Sequence, residues 1–178
     1  VADADAGESQ TQASTQVGTY GTFAIDTEGK WTYTASSAHN ELTEGQKVQE
    51  QFTVTSEDGA TTSKVTINIT GQNDVPTVSS ATESLTESDS ADSISTSGTI
   101  TVVDADAGES QTQASTQVGD YGTFAIDTNG KWTYTASSAH DELTAGEKVQ
   151  EQFTVTSEDG KTTNTVTINI IGYNDAPV

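Results

Sequence analysis

Apolar residues fall on every second position in four short stretches. In YGTFAID, Phe23 and Ile25 point one way while Thr22, Ala24 and Asp26 point the other. Trp31 and Tyr33 share a face in KWTYTA, Phe52 and Val54 in QFTVT, and Val65, Ile67 and Ile69 in VTINI. A period of two, with threonine at outward positions, predicts half-buried antiparallel strands. Asp26-Thr27-Glu28-Gly29 separates the first two strands and Glu57-Asp58-Gly59 the last two, and both read as hairpin turns. SSAHNELTEGQ is too short and too polar for a packed helix and is expected to be a crossing loop.

The pattern then repeats. Residues 1–77 align without a gap with residues 102–178, and 13 of the 77 pairs differ, leaving 64 identical. The offset of 101 residues is too long for a solenoid unit and fits one small domain per copy. Ile100 and Val102 predict one further strand ahead of DADAGE, and Leu85 another. About seven strands per copy imply an all-β chain of two tandem antiparallel sandwiches. The expected domains are 1–74 and 75–178. Residues 78–101 have no counterpart in the first copy, which is therefore expected to lack its opening strand or strands. A longer array, or strand complementation by another chain, is expected to supply that edge.

Composition narrows the function. Of 178 residues, 27 are acidic and 6 basic, all six lysine, for a net charge of −21. Such a surface repels phosphate backbones and anionic headgroups, so neither nucleic acid nor membrane insertion is expected. The absence of cysteine removes disulfides, thiolate metal sites and thiol nucleophiles. Strictly patterned aromatic and aliphatic residues argue for a folded acidic β-protein, whose self-repulsion calls for a counter-cation.

The carboxylates point to where that cation sits. If the opening strand of a complete copy runs down and its partner runs up, Asp104, Asp106 and Glu109 lie at the top. The next hairpin turns at the bottom, and Glu158-Asp159-Gly160 returns to the top, where Gly71-Gln72-Asn73-Asp74-Val75-Pro76 arrives. In an extended segment residues i and i+2 point the same way, so Asp104 and Asp106 can grip one ion. Hard oxygen donors without histidine or cysteine select calcium over zinc or copper. DADAGE is not an EF-hand loop: Gly108 stands at its fifth position and the closing glutamate is missing.

Other chemistries find little support. His39 and His140 sit one per copy on the SSAH loop, where surface histidines are the ordinary case, and Ser36 and Ser37 have no orienting acid or oxyanion site indicated. The chain is read as a non-enzyme. The rival reading is a calcium-dependent carbohydrate-binding module, with Trp31 and Tyr33, or the Tyr20 and Tyr121 loops, as a platform for sugar rings. Against it, Trp31 alternates in register with core positions, as the central tryptophan of a sandwich does.

In order along the chain, YGTFAIDTEGKWTYTASSAH, ELTEG, QFTVTSEDG and VTINITGQNDVP resemble the VCBS repeat, which occurs in tandem in very large bacterial surface proteins. The match covers nearly all of both copies. VCBS-like repeats are in turn similar to cadherin domains, in which a DAD motif, an aspartate before the final hairpin and an ND-containing linker hold interdomain calcium. That resemblance implies Asn73, Asp74, Asp104, Asp106 and Asp159 as ligands at the junction, and Asp3, Asp5 and Asp58 as the matching half-site of the first copy. It also implies type I secretion, with folding outside the cell where calcium is plentiful. The expected protein is a calcium-stiffened extender in the stalk of a secreted adhesin supporting adhesion and biofilm formation. Its expected partners are neighbouring repeats, with polysaccharide or host surface gripped through other domains.

Overall fold

The computed structural model describes residues 9–174; Asp3 and Asp5, expected as ligands, lie outside the described residues. The chain divides into two units, Val1–Asn73 and Asp74–Val178, and each is taken by itself.

In the first unit the alternating stretches form β1 (Ser14–Val17), β2 (Gly21–Ile25), β3 (Trp31–Ala35), β4 (Lys47–Thr55) and β5 (Thr62–Thr70). β1, β2 and β3 pair antiparallel in that order, and β4 pairs with β5. The turn glycines adopt the left-handed backbone that hairpins require, Gly29 at φ 80° and Gly59 at φ 77°. Asp26 Oδ1 accepts the N–H groups of Glu28 and Lys30, closing the first turn from within. Phe23, Ile25 and Phe52 form a small core, with Phe23 and Phe52 stacked at 5.0 Å between ring centroids.

The second unit repeats these five strands as β10 (Ser115–Val118), β11 (Gly122–Ile126), β12 (Lys131–Ala136), β13 (Lys148–Thr156) and β14 (Thr163–Ile171). Ahead of them it places β6 (Thr77–Val78), β7 (Ala81–Thr86), a single 3-10 turn at Ala91–Ser93, β8 (Ser95–Thr99) and β9 (Val102–Val103). β8 joins the edge of β12, giving a four-stranded sheet in the order β10-β11-β12-β8. β7 joins β14, giving β13-β14-β7 opposite. The side chains between these sheets are Phe124, Trp132 and Tyr134 from one and Phe153, Val155, Val166, Ile168 and Ile170 from the other. This is the expected all-β sandwich.

Three details correct the sequence reading. β7 and β14 run parallel, so the sandwich is not antiparallel throughout. Ile100 lies outside any strand: its N–H bonds the Gly130 carbonyl at 2.8 Å, its side chain turns into the core, and the chain resumes pairing only at Val102. The expected core tryptophan holds for one copy only. Trp132 is 1% exposed, whereas Trp31 is 46% exposed although it stacks on Phe23. The physical reason is β8, which runs along Trp132 and has no counterpart beside Trp31 among the described residues.

Candidate metal centre

Asp104 and Asp106 follow β9 in a loop that folds on its own side chains. The Asp106 N–H bonds Asp104 Oδ1 at 3.0 Å, and the Ser110 hydroxyl bridges the Asp104 N–H and carbonyl. Gly108, at φ 88°, turns the chain back so that Glu109 faces the two aspartates. One carboxylate oxygen from each of Asp104, Asp106 and Glu109 lies within 4.8 Å of the others. Oxygens sharing one calcium at about 2.4 Å stand at most about 4.8 Å apart, so the spacing suits a single ion.

Hydrogen bonding supplies the stronger observation. Asp106 is 2% exposed; its Oδ2 accepts the Asp74 N–H at 2.8 Å, but its Oδ1 has no hydrogen-bond partner. Asp104 Oδ2 is likewise buried without one. Buried carboxylate oxygens almost always have partners, because leaving them bare costs several kcal/mol. Glu109 shows the same stress: burial first, then the charges of Asp106, Asp104, Asp159 and Glu158, push its carboxyl above the usual range. The three acids, one buried and two half-buried, therefore fit a hard divalent cation, which would supply the positive charge that the two buried oxygens lack.

The other expected ligands divide. Asp74 enters through its backbone N–H. Asp159 caps its own hairpin, accepting the Ser157 hydroxyl at 2.6 Å and the Lys161 N–H at 3.1 Å, and acts on Glu109 through its charge. Asp58 holds the equivalent turn of the first unit, where the Ser56 hydroxyl and then the Ala60 N–H keep its carboxyl below the usual range. Asn73 is the last residue of the first unit. Glu109, noted at the top of the domain but not counted among the ligands, completes the trio.

One acid was missed. Glu87, just beyond β7, is 5% exposed; its Oε1 accepts the Tyr173 N–H at 2.6 Å and its Oε2 has no hydrogen-bond partner. β7 pairs with the far half of β14, ending at Ile171, whereas Thr162 at the near end bonds the Pro76 carbonyl. Glu87 therefore sits at the opposite end of the unit from Asp106.

The histidines are not surface residues. His39 and His140 are both buried with left-handed backbone, at φ 56° and 63°. His140 Nε2 meets the Tyr121 carbonyl at 2.7 Å and Nδ1 meets Glu142 Oε1 at 2.9 Å, and His39 repeats this with Tyr20 and Glu41. Tyr20 and Tyr121 lie edge-on to these rings and are half-buried; Trp132 and Tyr134 are buried, whereas Trp31 is exposed and Tyr33 half-buried.

Among the described residues, no helix is long and apolar enough to cross a membrane. No curated protein matches the chain. Among solved structures, Drosophila N-cadherin EC1-4 is similar at a TM-score of 0.48 and 16% identity, over 93% of this chain and 40% of that one. Human protocadherin-24 EC1-2 gives 0.42 and 13%, over 99% and 87%. An endo-fucoidan hydrolase of glycoside hydrolase family 107 gives 0.36 and 14%, over 92% and 24%. This chain thus spans well under half of that N-cadherin chain. Residues 73–172, more than half of the sequence and nearly all of the second unit, match the bacterial cadherin-like domain, and the chain belongs to that family.

Proposed function

We propose that this chain is a pair of calcium-binding extender repeats, of the VCBS type, from the stalk of a secreted bacterial surface adhesin. The observation that carries the reading is the pair of buried, unpartnered oxygens on Asp104 and Asp106, with Glu109 beside them. Membership of a cadherin-like family supports an extracellular, adhesion-type and non-enzymatic role. Asp104, Asp106 and Glu109 would hold the ion. Bound calcium would cancel their repulsion, and through Asp106 it would restrain Asp74, where the chain enters the second unit. A low calcium level before export leaves the domain loose; a high level outside the cell stiffens it.

A thermal melt in chelator, followed by stepwise calcium with magnesium in parallel, tests the reading. At about 100 times the dissociation constant, one site adds about 2.7 kcal/mol. A calcium-specific rise in melting temperature, lost in Asp104→Ala with Asp106→Ala, is expected. A melt indifferent to calcium overturns the proposal.

A further inference from the structure

Residues 137–147 carry the second unit from β12 in one sheet to β13 in the other, and a single histidine organises the crossing. The Nε2 of the buried His140 meets the Tyr121 carbonyl, in the turn that joins β10 to β11. Its Nδ1 meets Glu142 Oε1 at 2.9 Å and the Ser138 hydroxyl at 3.1 Å. The Leu143 N–H then bonds the His140 carbonyl at 3.0 Å, and the Leu143 side chain sits in the core. Beyond it the Gly146 N–H bonds the Gly172 carbonyl at 2.9 Å, and the Gly172 N–H returns to the Glu147 carbonyl at 2.8 Å. The loop thus grips the chain just past the end of β14.

A second charge holds the other side of the same turn. Glu151 reaches it from β13, accepting the Tyr121 N–H at 2.9 Å and the Tyr134 hydroxyl at 2.6 Å. Gly119 admits that carboxylate, because a Cβ there would collide with it. Tyr121 is therefore clamped between a buried carboxylate at its N–H and a buried imidazole at its carbonyl. The first unit repeats the device. Tyr20 stands between Glu50 and His39, the Leu42 N–H bonds the His39 carbonyl, and Gly45 donates to the Gly71 carbonyl. The titratable groups facing His140 are Glu142 on its own loop, Glu151 on β13, and Tyr121 edge-on at 5.3 Å. Burial, the largest single influence, lowers the His140 pKa, but Glu142, Tyr121 and Glu151 together raise it. The His140 contact in turn holds Glu142 below the usual carboxylate range, so Glu142 is ionised where the ring titrates.

An imidazolium donates to both acceptors at once, whereas a neutral ring keeps one N–H. With that proton on Nε2, the Tyr121 contact survives and the Ser138 hydroxyl can donate to Nδ1. Glu142 then faces a lone pair and lets go. We propose that the 137–147 loop is a protonation-controlled clasp, shut by the His140 imidazolium and released locally by the neutral ring. Release frees Leu143 from the core and Gly172 from the loop while the sheets stay paired, an opening smaller than unfolding of the unit. The chain beyond β14 is then held less firmly. Because the folded pKa is raised, the clasp is fully shut below about pH 6.5, the unfolded value, and opens as pH rises through the folded one. None of its residues belongs to the Asp104, Asp106 and Glu109 trio, so the inference is independent of the calcium reading.

The test is amide hydrogen exchange of the whole chain, read by NMR and corrected for the intrinsic effect of pH. From about pH 6 to about pH 9, protection of the Leu143, Gly146 and Gly172 amides should fall about tenfold, the scale of one lost hydrogen bond to a charged group. The fall should track the titration of the His140 ring nitrogens. At the higher pH these amides should exchange well ahead of those in β11. In His140→Asn they should lose the pH response, while Leu42, Gly45 and Gly71, under His39, keep theirs. Glu142→Gln leaves the loop its amide oxygen but not its charge, and should move the midpoint to lower pH. Constant protection across the range overturns the proposal. So does exchange of the three amides no faster than β11 at the higher pH, since they would then open only with the whole unit. A response that persists in His140→Asn, or a midpoint unmoved in Glu142→Gln, equally overturns it.

Discussion

At the scale of single residues, two kinds of buried charge behave oppositely. Both ring nitrogens of His140 face acceptors, a carbonyl and a carboxylate, and only the imidazolium can donate to both. Burial alone would lower its pKa, but the Glu142 and Tyr121 contacts outweigh it and the value is raised. The stability it contributes is then complete below about pH 6.5, the unfolded value, and is lost as pH rises through the higher folded value. His140→Asn keeps a side chain tolerant of positive φ and loses both contacts. Its deficit in melting temperature should be largest near about pH 5.5 and close by about pH 9; a deficit constant across that range refutes the assignment. Glu109 has the reverse effect for its charge type. Its folded pKa is raised, so in chelator it favours the native state at low pH and opposes it as pH rises through that value. Glu109→Gln should therefore gain on the parent at neutral pH without calcium, show no gain near about pH 4, and bind calcium less tightly, all readable from paired melts. The sequence made the acidic loop legible because i and i+2 spacing is visible in DAD. It hid the histidines, since nothing in SSAH announces a left-handed backbone with two buried acceptors.

At the scale of elements, alternation predicted β2, β3, β4 and β5 and their copies, because each buries one face and the period of two is plain. Glu151 shows how such a pattern conceals a polar contact. It shares the inner face of β13 with Phe153 and Val155, where its carboxylate receives the Tyr134 hydroxyl at 2.6 Å and the Tyr121 N–H at 2.9 Å. The equivalent Glu50 pushes the Tyr33 hydroxyl up to about 12, after burial as the larger cause. β7 and β8 were far less legible. ATESLT buries only parts of Ala81 and Leu85, and STSGT has no large side chain, so their places are decided by the edges they meet. β8 depends on the absence of a Cβ at Gly98, where one would come within 2.6 Å of the Trp132 indole. In the intact chain Gly98→Val should destabilise the second unit by about 1–3 kcal/mol, the usual cost of overpacking a filled core. Denaturant unfolding followed at Trp132 measures it, and an unchanged midpoint would mean that β8 does not press on the ring.

At the scale of the whole molecule, the same strands make a filled sandwich in one unit and a partly uncovered one in the other. Scanning calorimetry should resolve two transitions, the first unit melting lower because its core is smaller and Trp31, Val65 and Ile67 remain wetted. A single cooperative transition would contradict this. The net charge of −21 bears on both units, so added salt should raise both transitions modestly by screening, whereas calcium should raise the one reported by Trp132 by more.

The parallel pairing of β7 with β14 also decides how the second unit meets a pull. The chain enters that unit beside the start of β7 and leaves it beyond the end of β14, and the two strands run side by side in the same direction from Ala81 opposite Val166 to Thr86 opposite Ile171. Tension applied at Asp74 and beyond Ile171 therefore draws the two strands past each other, so their shared hydrogen bonds are loaded together and not one at a time. An antiparallel pair with both loose ends at one end of the unit would instead open bond by bond. The one departure from an antiparallel sandwich is thus also the arrangement that carries load in shear.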